Sequence, residues 1–362
     1  MNVFDVAVLG GGIVGHAIAV ELRRRGKSVV LLDVPDVREP DAGQTTVGLA
    51  RPYTVAIEQL GREAARAVWE THRENHARLK EWLADLGPAA RGVDLQPRGG
   101  FALALDRDEG KALAESEDVL REDGFSGEFF DHYMLEARFD VRGFAGGYWA
   151  VDGGGFHAPA FVAALAGRAR EAGARLVETS AVSELETSAH GVRLRADAGE
   201  IEAETVVLAN ATLAAVVLPA AVEGLPRSTL HEIDATLDAS HEIPQPGHLV
   251  SGRAWWERPA DHRLTLCGED AAADIEAFAV RHFPGAQRAS RGSRMSAVRR
   301  TADGFPWIGP APGAPCILAL GLSGLDAGRY GLLAARWVAE AIASGRDETP
   351  ALYRASRGLS LS

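Results

Sequence analysis

At 362 residues and 46% hydrophobic content, the chain is long enough for two domains or one large one and can fill a full core, so disorder is not its default. A formal net charge of −12 speaks against nucleic acid and anionic membrane as partners. Two cysteines, Cys267 and Cys316, stand in no metal or redox spacing and read as reduced thiols of a cytoplasmic protein.

The apolar amino terminus carries Asp5, lacks a basic leader and is packed with glycine. It reads as a strand and a helix start rather than a signal peptide or membrane span, and no other span, repeat or low-complexity stretch follows. Val6 to Leu9 is a short apolar run of the kind a buried parallel strand shows. It leads into Gly10, Gly12 and Gly15, a G-x-G-x-x-G, and then into a helical pattern with apolar Ile13, Ala17, Val20 and Leu22, ended by Gly26. Val29 to Leu32 is a second buried strand, closed by Asp33. If a dinucleotide sits here, each residue has a physical role. Gly10 permits the tight turn, Gly12 the close approach of a pyrophosphate, and Gly15 the packing of helix on strand. The helix start offers amides, and Asp33 takes the ribose hydroxyls. The bland alternative is a βαβ unit whose glycines only turn the chain.

Residues Val34 to Gly48 form a loop containing Thr45 and Thr46, and an amphipathic helix is expected from about Ile57 to Leu86, closed by Gly87-Pro88. Leu95 to Leu105 looks like antiparallel strand, and Lys111 to Gly124 like a charged surface helix. After a turn at Val151 to Phe156, Pro159 stands near the start of a helix ending at Gly173, and Arg175 to Glu178 is a strand. Gly191 to Leu208 alternates as a hairpin, short strands surround Trp255-Trp256, and Ala271 to Phe283 is a helix. Cys316 to Leu322 is an apolar strand, followed by glycines and a helix from Arg329 to Ser344. The chain thus begins and ends with a strand-glycine-helix unit. The expected organisation is a discontinuous nucleotide domain (residues 1–86, 151–218 and 291–362) with a substrate domain (residues 87–150 and 219–290) inserted in two pieces.

In this order the motifs VAVLGGGIVG with LLD, TTVGLARPY, DGGGFHAPAFVAAL, ETVVLANAT, RRTADGFPWIG and LALGLSG resemble the D-amino-acid oxidase superfamily, in its glycine oxidase and sarcosine oxidase branch. The resemblance covers nearly the whole chain. It implies an α/β fold in which a Rossmann-type FAD-binding domain carries an inserted α+β substrate domain on a mixed, largely antiparallel sheet. It implies FAD, held non-covalently since Ser296 stands about where some relatives have a linking cysteine. Gly10, Gly12, Ile13, Val14, Gly15 and Asp33 would hold pyrophosphate and ribose, Thr45 and Thr46 would lie against pyrophosphate and flavin, and Val182 would meet the adenine. Leu322, Ser323, Gly324 and Leu325 would face the flavin's pyrimidine end, where a helix start stabilises the negative charge of the reduced ring. Ala211 replaces a common glycine, Leu213 a common aromatic, and Leu325-Asp326 a more glycine-rich loop.

Sarcosine-oxidase-like relatives use lysines near the flavin, but Lys27, Lys80 and Lys111 are this chain's only ones and stand far from the motifs; Thr265 lies about where the oxygen-activating lysine is expected. Either molecular oxygen reacts weakly or another electron acceptor is used. A carboxylate substrate calls for a guanidinium clamp. The position the resemblance implies is Val298, so Arg299, Arg300, Arg51 and Arg329 are the candidates, with Arg300 and Arg51 ahead and an ordinary ion pair as the alternative for each. Trp255, Trp256 and Tyr53 are candidate pocket walls, and Gly304 with Asp303 a turn bringing backbone to the flavin. His231, His241, His248 and His262 fit no metal template, and His16 packs near the cofactor without chemistry. The function implied is FAD-dependent oxidation of the C–N bond of a small amine or amino acid, with no nucleic acid, membrane span or metal. A 2-hydroxy-acid dehydrogenase and a partner-dependent or non-catalytic flavin-fold subunit are the alternatives, and the oligomeric state stays open.

Overall fold

Val6, Ala7, Val8 and Leu9 have no accessible surface, and Val30, Leu31 and Leu32 match them, as strands covered on both faces require. The structure, a computed structural model, describes residues 3–188, 191–223, 225–237, 242–257, 263–269, 272–288, 294–312, 314 and 316–357. Its elements in chain order are β1 (Phe4–Leu9), α1 (Gly12–Arg24), β2 (Val29–Asp33), α2 (Tyr53–Leu60), α3 (Arg62–Leu86), β3 (Gly100–Ala104), α4 (Arg107–Glu122), β4 (Gly127–Asp131), α5 (His132–Arg138), β5 (Gly146–Ala150), α6 (Ala158–Glu171) and β6 (Arg175–Glu178). There follow β7 (Val182–Ser188), β8 (Gly191–Ala196), β9 (Gly199–Leu208), α7 (Ala211–Val217), β10 (Arg227–Leu237), β11 (Gly247–Leu249), β12 (Ala254–Glu257), β13 (Arg263–Glu269), α8 (Ala272–His282), β14 (Ala286–Arg288), β15 (Arg294–Arg299), β16 (Trp307–Pro310), β17 (Cys316–Leu320) and α9 (Leu325–Ser344).

The first sheet runs β16-β17-β9-β1-β2-β6, with β7 and β8 added through β9. β17, β9, β1, β2 and β6 are parallel, so their carboxyl ends share one edge. Side-chain alternation splits the core in two. Val6, Val8, Val29 and Leu31 pack under α1, α3, α6 and α9, while Ala7, Leu9, Val30 and Leu32 pack against α7 and β8 on the opposite face. The second sheet runs β14-β10-β13-β12-β11-β3-β5-β4, with β15 also on β10. Among the described residues all its pairings are antiparallel save β11 with β3. The mixed α/β architecture is thus the one expected.

Two local expectations need correcting. The helix expected from Ile57 to Leu86 is two helices, because Gly61 between them takes φ +83° and cannot continue the helix. The Leu95 to Leu105 stretch is one strand, β3, and it pairs parallel with β11 as well as antiparallel with β5. β3 and β11 lie far apart in sequence, so no hairpin turn dictates their direction.

One buried side chain locks α3 to α9. Asn75 donates to the Gly328 carbonyl (2.6 Å) and accepts from the amides of Leu332 (3.1 Å) and Leu333 (3.0 Å). Because α9 carries the last glycine turn at its start, this clamp fixes the floor of the cleft described below. Removing it strands buried backbone groups, at about 1–3 kcal/mol for each unsatisfied group. Asn75→Ala is therefore expected to lower urea-unfolding stability by roughly 2–4 kcal/mol, and a loss below about 0.5 kcal/mol would show the clamp to be dispensable.

Candidate functional site

The strand-to-helix turn is built only for glycine. Gly10 has φ +118°, and a Cβ there would lie 2.7 Å from the Asn210 Cβ. A Cβ on Gly15 would run into the Gly10 carbonyl oxygen, so α1 sits hard against its own turn. Asp33 is buried at the carboxyl end of β2, against Gly11, and pairs with Arg38. Ile13 and Val14 are buried in the first turn of α1. The Ile13 amide donates to the Asp41 Oδ2 at 3.0 Å, so this helix end already holds an anion. An anion-accepting amide, a glycine turn without side chains and an acid at the end of β2 fit a dinucleotide. The diphosphate and the Asp41 carboxylate, however, would compete for one donor.

Asp41 belongs to a segment that crosses the carboxyl edge of the sheet. Asn210 donates to the Val37 carbonyl (3.0 Å), and Glu39 Oε1 accepts from the amides of Ala211 and Thr212 (both 3.1 Å). Gly324 donates to Pro40 (2.7 Å) and accepts from Ala42 (3.1 Å). Burial pushes the Glu39 and Asp41 carboxyls up to about 7, against the lowering effect of the amides they accept from. Beyond the crossing, Thr45 is hydrogen-bonded to His76 Nδ1 (2.6 Å), and Thr46 accepts from the Arg329 guanidinium at 3.5 Å. The Gln44 side chain is fully enclosed with neither amide atom hydrogen-bonded, and the buried Ser323 hydroxyl is likewise unpaired.

The second sheet roofs this edge. Alternation puts Trp255 and Glu257 of β12 on the inward face with Cys267 of β13, and Trp256 on the other face against Phe283. Trp255, Cys267, Leu230 and Val298 pack with Ala42 and Leu325 in one small buried cluster, where roof meets floor. Arg300 pairs with Glu269 at 2.7 Å, and its guanidinium lies 5.8 Å from the centre of the Trp255 ring. Gly324 (φ +58°) leaves just this space: a Cβ there would stand 2.9 Å from the Trp255 ring and 3.3 Å from the Arg300 guanidinium. Arg329 is buried one turn deeper and faces Asp326 at 3.7 Å. Glu257 accepts from the Gly43 amide (2.6 Å), and burial with no cation among its described neighbours pushes its carboxyl up to about 8.

Of the residues expected at a site, the structure brings Trp255, Arg300, Gly324 and Leu325 together where the second sheet meets the start of α9, with Leu322 and Ser323 just before Gly324 in the chain and Arg329, bonded to Thr46, one turn along the helix. Ala211 opens α7 on the same edge. Tyr53 is not among them: it packs edge-on against Trp69 (4.7 Å) and donates to Asp123 (2.7 Å), in the core between α2, α3 and α4. Arg51 is bonded to Gln59 and stands beside Gly304, whose turn is held by Asp303 pairing with Arg357. Val182 is buried with Leu32 and Val34. His248 is buried on the backbone of Leu49 and Phe101, and His16 on the Gly12 carbonyl. His231 lies on β10, while His241 and His262 fall outside the described residues. Sequence reasoning missed Glu39, Asp41, Glu257 and Glu269. Strand alternation could have placed Glu257 beside Trp255, but no local pattern marks the other three. Among the described residues there is no cluster able to hold a metal and no helix long and apolar enough to cross a membrane.

A family model described as FAD dependent oxidoreductase matches residues 5–344. Over 336 residues the chain is 25% identical to the glycine oxidase of Geobacillus kaustophilus, covering 85% of each chain. The crystal structure of glycine oxidase from that organism has a TM-score of 0.80 at 20% identity, over 99% of this chain and 100% of that one. L-proline dehydrogenase from P. horikoshii has a TM-score of 0.71 at 19% identity, over 99% of each chain. At such identities the structural likeness speaks for the fold alone.

The buried Glu257 carboxyl gives a test by pH. Its pKa is raised in the folded state, so the fold holds a proton that the unfolded chain releases, and stability falls as pH rises from about 4.5 through about 8. Glu257→Gln keeps an acceptor for Gly43 and removes the titration. In urea melts it is expected to gain stability over the unsubstituted protein at pH 8 and not at pH 4.5; equal curves at both pH values would refute the assignment.

Proposed function

Since this chain belongs to the FAD-dependent oxidoreductase family, with FAD as its cofactor, we propose that it oxidises the C–N bond of a small amine or amino acid. The observation that carries the reading is the meeting of Trp255 and Arg300 with the Gly324 turn, where the inward face of the second sheet closes on the start of α9. When bound, the flavin supplies a two-electron acceptor.

The residues that would hold it are the Gly10–Gly15 turn and the Ile13 amide for the diphosphate, and Asp33 for the ribose. Thr45, Thr46 and the Leu322–Leu325 turn then stand for the part reaching under the roof. This chain's own contribution to the chemistry is positioning and exclusion of water. Trp255, Leu230, Cys267 and Val298 form a dry apolar cluster with Ala42 and Leu325 beside the proposed substrate position. Arg300 offers a charged group to a substrate carboxylate once Glu269 yields it. Oxidation of the C–N bond, with FAD as the two-electron acceptor and a proton lost from nitrogen to water, would give an imine that water hydrolyses to a carbonyl compound and an amine or ammonia. Molecular oxygen is a poor fit as fast acceptor: Lys80 and Lys111 lie on α3 and α4 with exposed side chains, and Lys27 stands in the turn before β2.

Anaerobic bleaching of the flavin absorbance tests the reaction. Small amino acids or amines are expected to bleach it and matched 2-hydroxy acids not; the reverse order would replace the reading with a hydroxy-acid dehydrogenase. Admitting air is expected to restore the colour slowly, and an artificial acceptor quickly. Arg300→Met is expected to raise KM for amino acids by tenfold or more, about 1.4 kcal/mol of binding, while changing KM for carboxylate-free amines far less.

A further inference from the structure

In an open parallel sheet, ligands bind in the crevice outside the carboxyl ends of the strands, where neighbouring connections part. Here one segment of the chain, residues 34–42, already lies across that crevice. It is hydrogen-bonded to all three turns that border it. Asp41 takes the Ile13 amide after β1, Val37 and Glu39 take Asn210, Ala211 and Thr212 after β9, and Pro40 and Ala42 pair with Gly324 after β17. Arg38 meanwhile pairs with Asp33, the acid that ends β2. Three of these groups are ones that a dinucleotide in this crevice would need: the Ile13 amide, Asp33 and the bare glycine turn. The Gly12 Cα is approached so closely that a Cβ there would lie 2.9 Å from Asp41 Oδ2.

We infer that residues 34–42 are a strap that fills the diphosphate position while FAD is absent, and that loading exchanges the Asp41 carboxylate for the diphosphate on the Ile13 amide of α1. This rests on the chain being an FAD enzyme and goes beyond it, since it assigns the cofactor a competitor within the protein. Two anions cannot share the single Ile13 amide, so the carboxylate leaves before the diphosphate is seated. The strap is also an uneasy occupant. Asp41 and Glu39 are half-buried next to each other, Asp33 lies close to Asp41, and Arg38 is the cation that faces Asp41 and Asp33. Their charged forms are disfavoured where they lie, so release into water relieves them as the nucleotide arrives. An exchange of this kind slows association and weakens apparent affinity by the fraction of molecules in which the strap is open.

Stopped-flow quenching of FAD fluorescence by the flavin-stripped protein tests the exchange. For the unsubstituted chain the observed rate is expected to level off as FAD is raised, because strap opening becomes limiting. Asp41→Ala is expected to tighten FAD about tenfold at equilibrium and to raise that ceiling. Glu39→Ala, which frees the same segment without touching α1, shifts both in the same direction and carries the test if Asp41→Ala does not fold. FAD binding with unchanged or weaker affinity in both variants, or a wild-type rate that climbs linearly without limit, overturns the strap. Failure of every form to bind FAD overturns the strap together with the flavin assignment, a result distinct from tight and unaltered binding.

Discussion

The amides at the amino end of α1 point at a crevice and need an anion, and much of the molecule is arranged about that need. A helix start carries unpaired donors and a partial positive charge. Three glycines remove every side chain from its approach, and parallel strands β9, β1 and β2 bring their carboxyl ends level with it. The crevice is therefore a consequence of strand direction and glycine geometry before any ligand is considered. What occupies it in this structure is the chain itself, through Asp41.

The second sheet converts that crevice into a cleft. Its inward face is chosen by the two-residue alternation of β12 and β13, which turns Trp255 and Cys267 down and buries Trp256 and Leu266 above. The charged groups at the cleft come largely as pairs: Arg300 with Glu269 and Arg329 with Asp326. A substrate of the proposed reaction binding here would exchange partners with groups that are already paired, which favours specificity over raw affinity. Glu257 is the exception, a half-buried residue whose carboxylate takes its hydrogen bond from backbone rather than from a cation.

What could be read beforehand follows from locality. The glycine turn, β1, β2 and Asp33 were legible because positive φ, close packing and strand burial are properties of a few adjacent residues. Gly324 and the start of α9 were legible for the same reason. The break at Gly61 was hidden, because the apolar period of α2 and α3 runs on through it and only backbone geometry reveals the change of direction. Tyr53 was misleading: an aromatic beside a motif can equally well fill a core, and here Trp69 and Asp123 claim it. Glu39 and Asp41 escaped notice because a polar loop looks alike whether it lies in solvent or across a crevice. Their burial is a tertiary fact with no periodicity to announce it.

Hydrogen exchange of the protein with and without FAD, read at peptides covering residues 10–16 and 36–43, tests the centre of this account. Nucleotide on the first amides of α1 in place of Asp41 predicts slower exchange in the first peptide and faster exchange in the second. Faster or unchanged exchange in the first, or added protection in the second, would mean that the α1 amides are not the contested position.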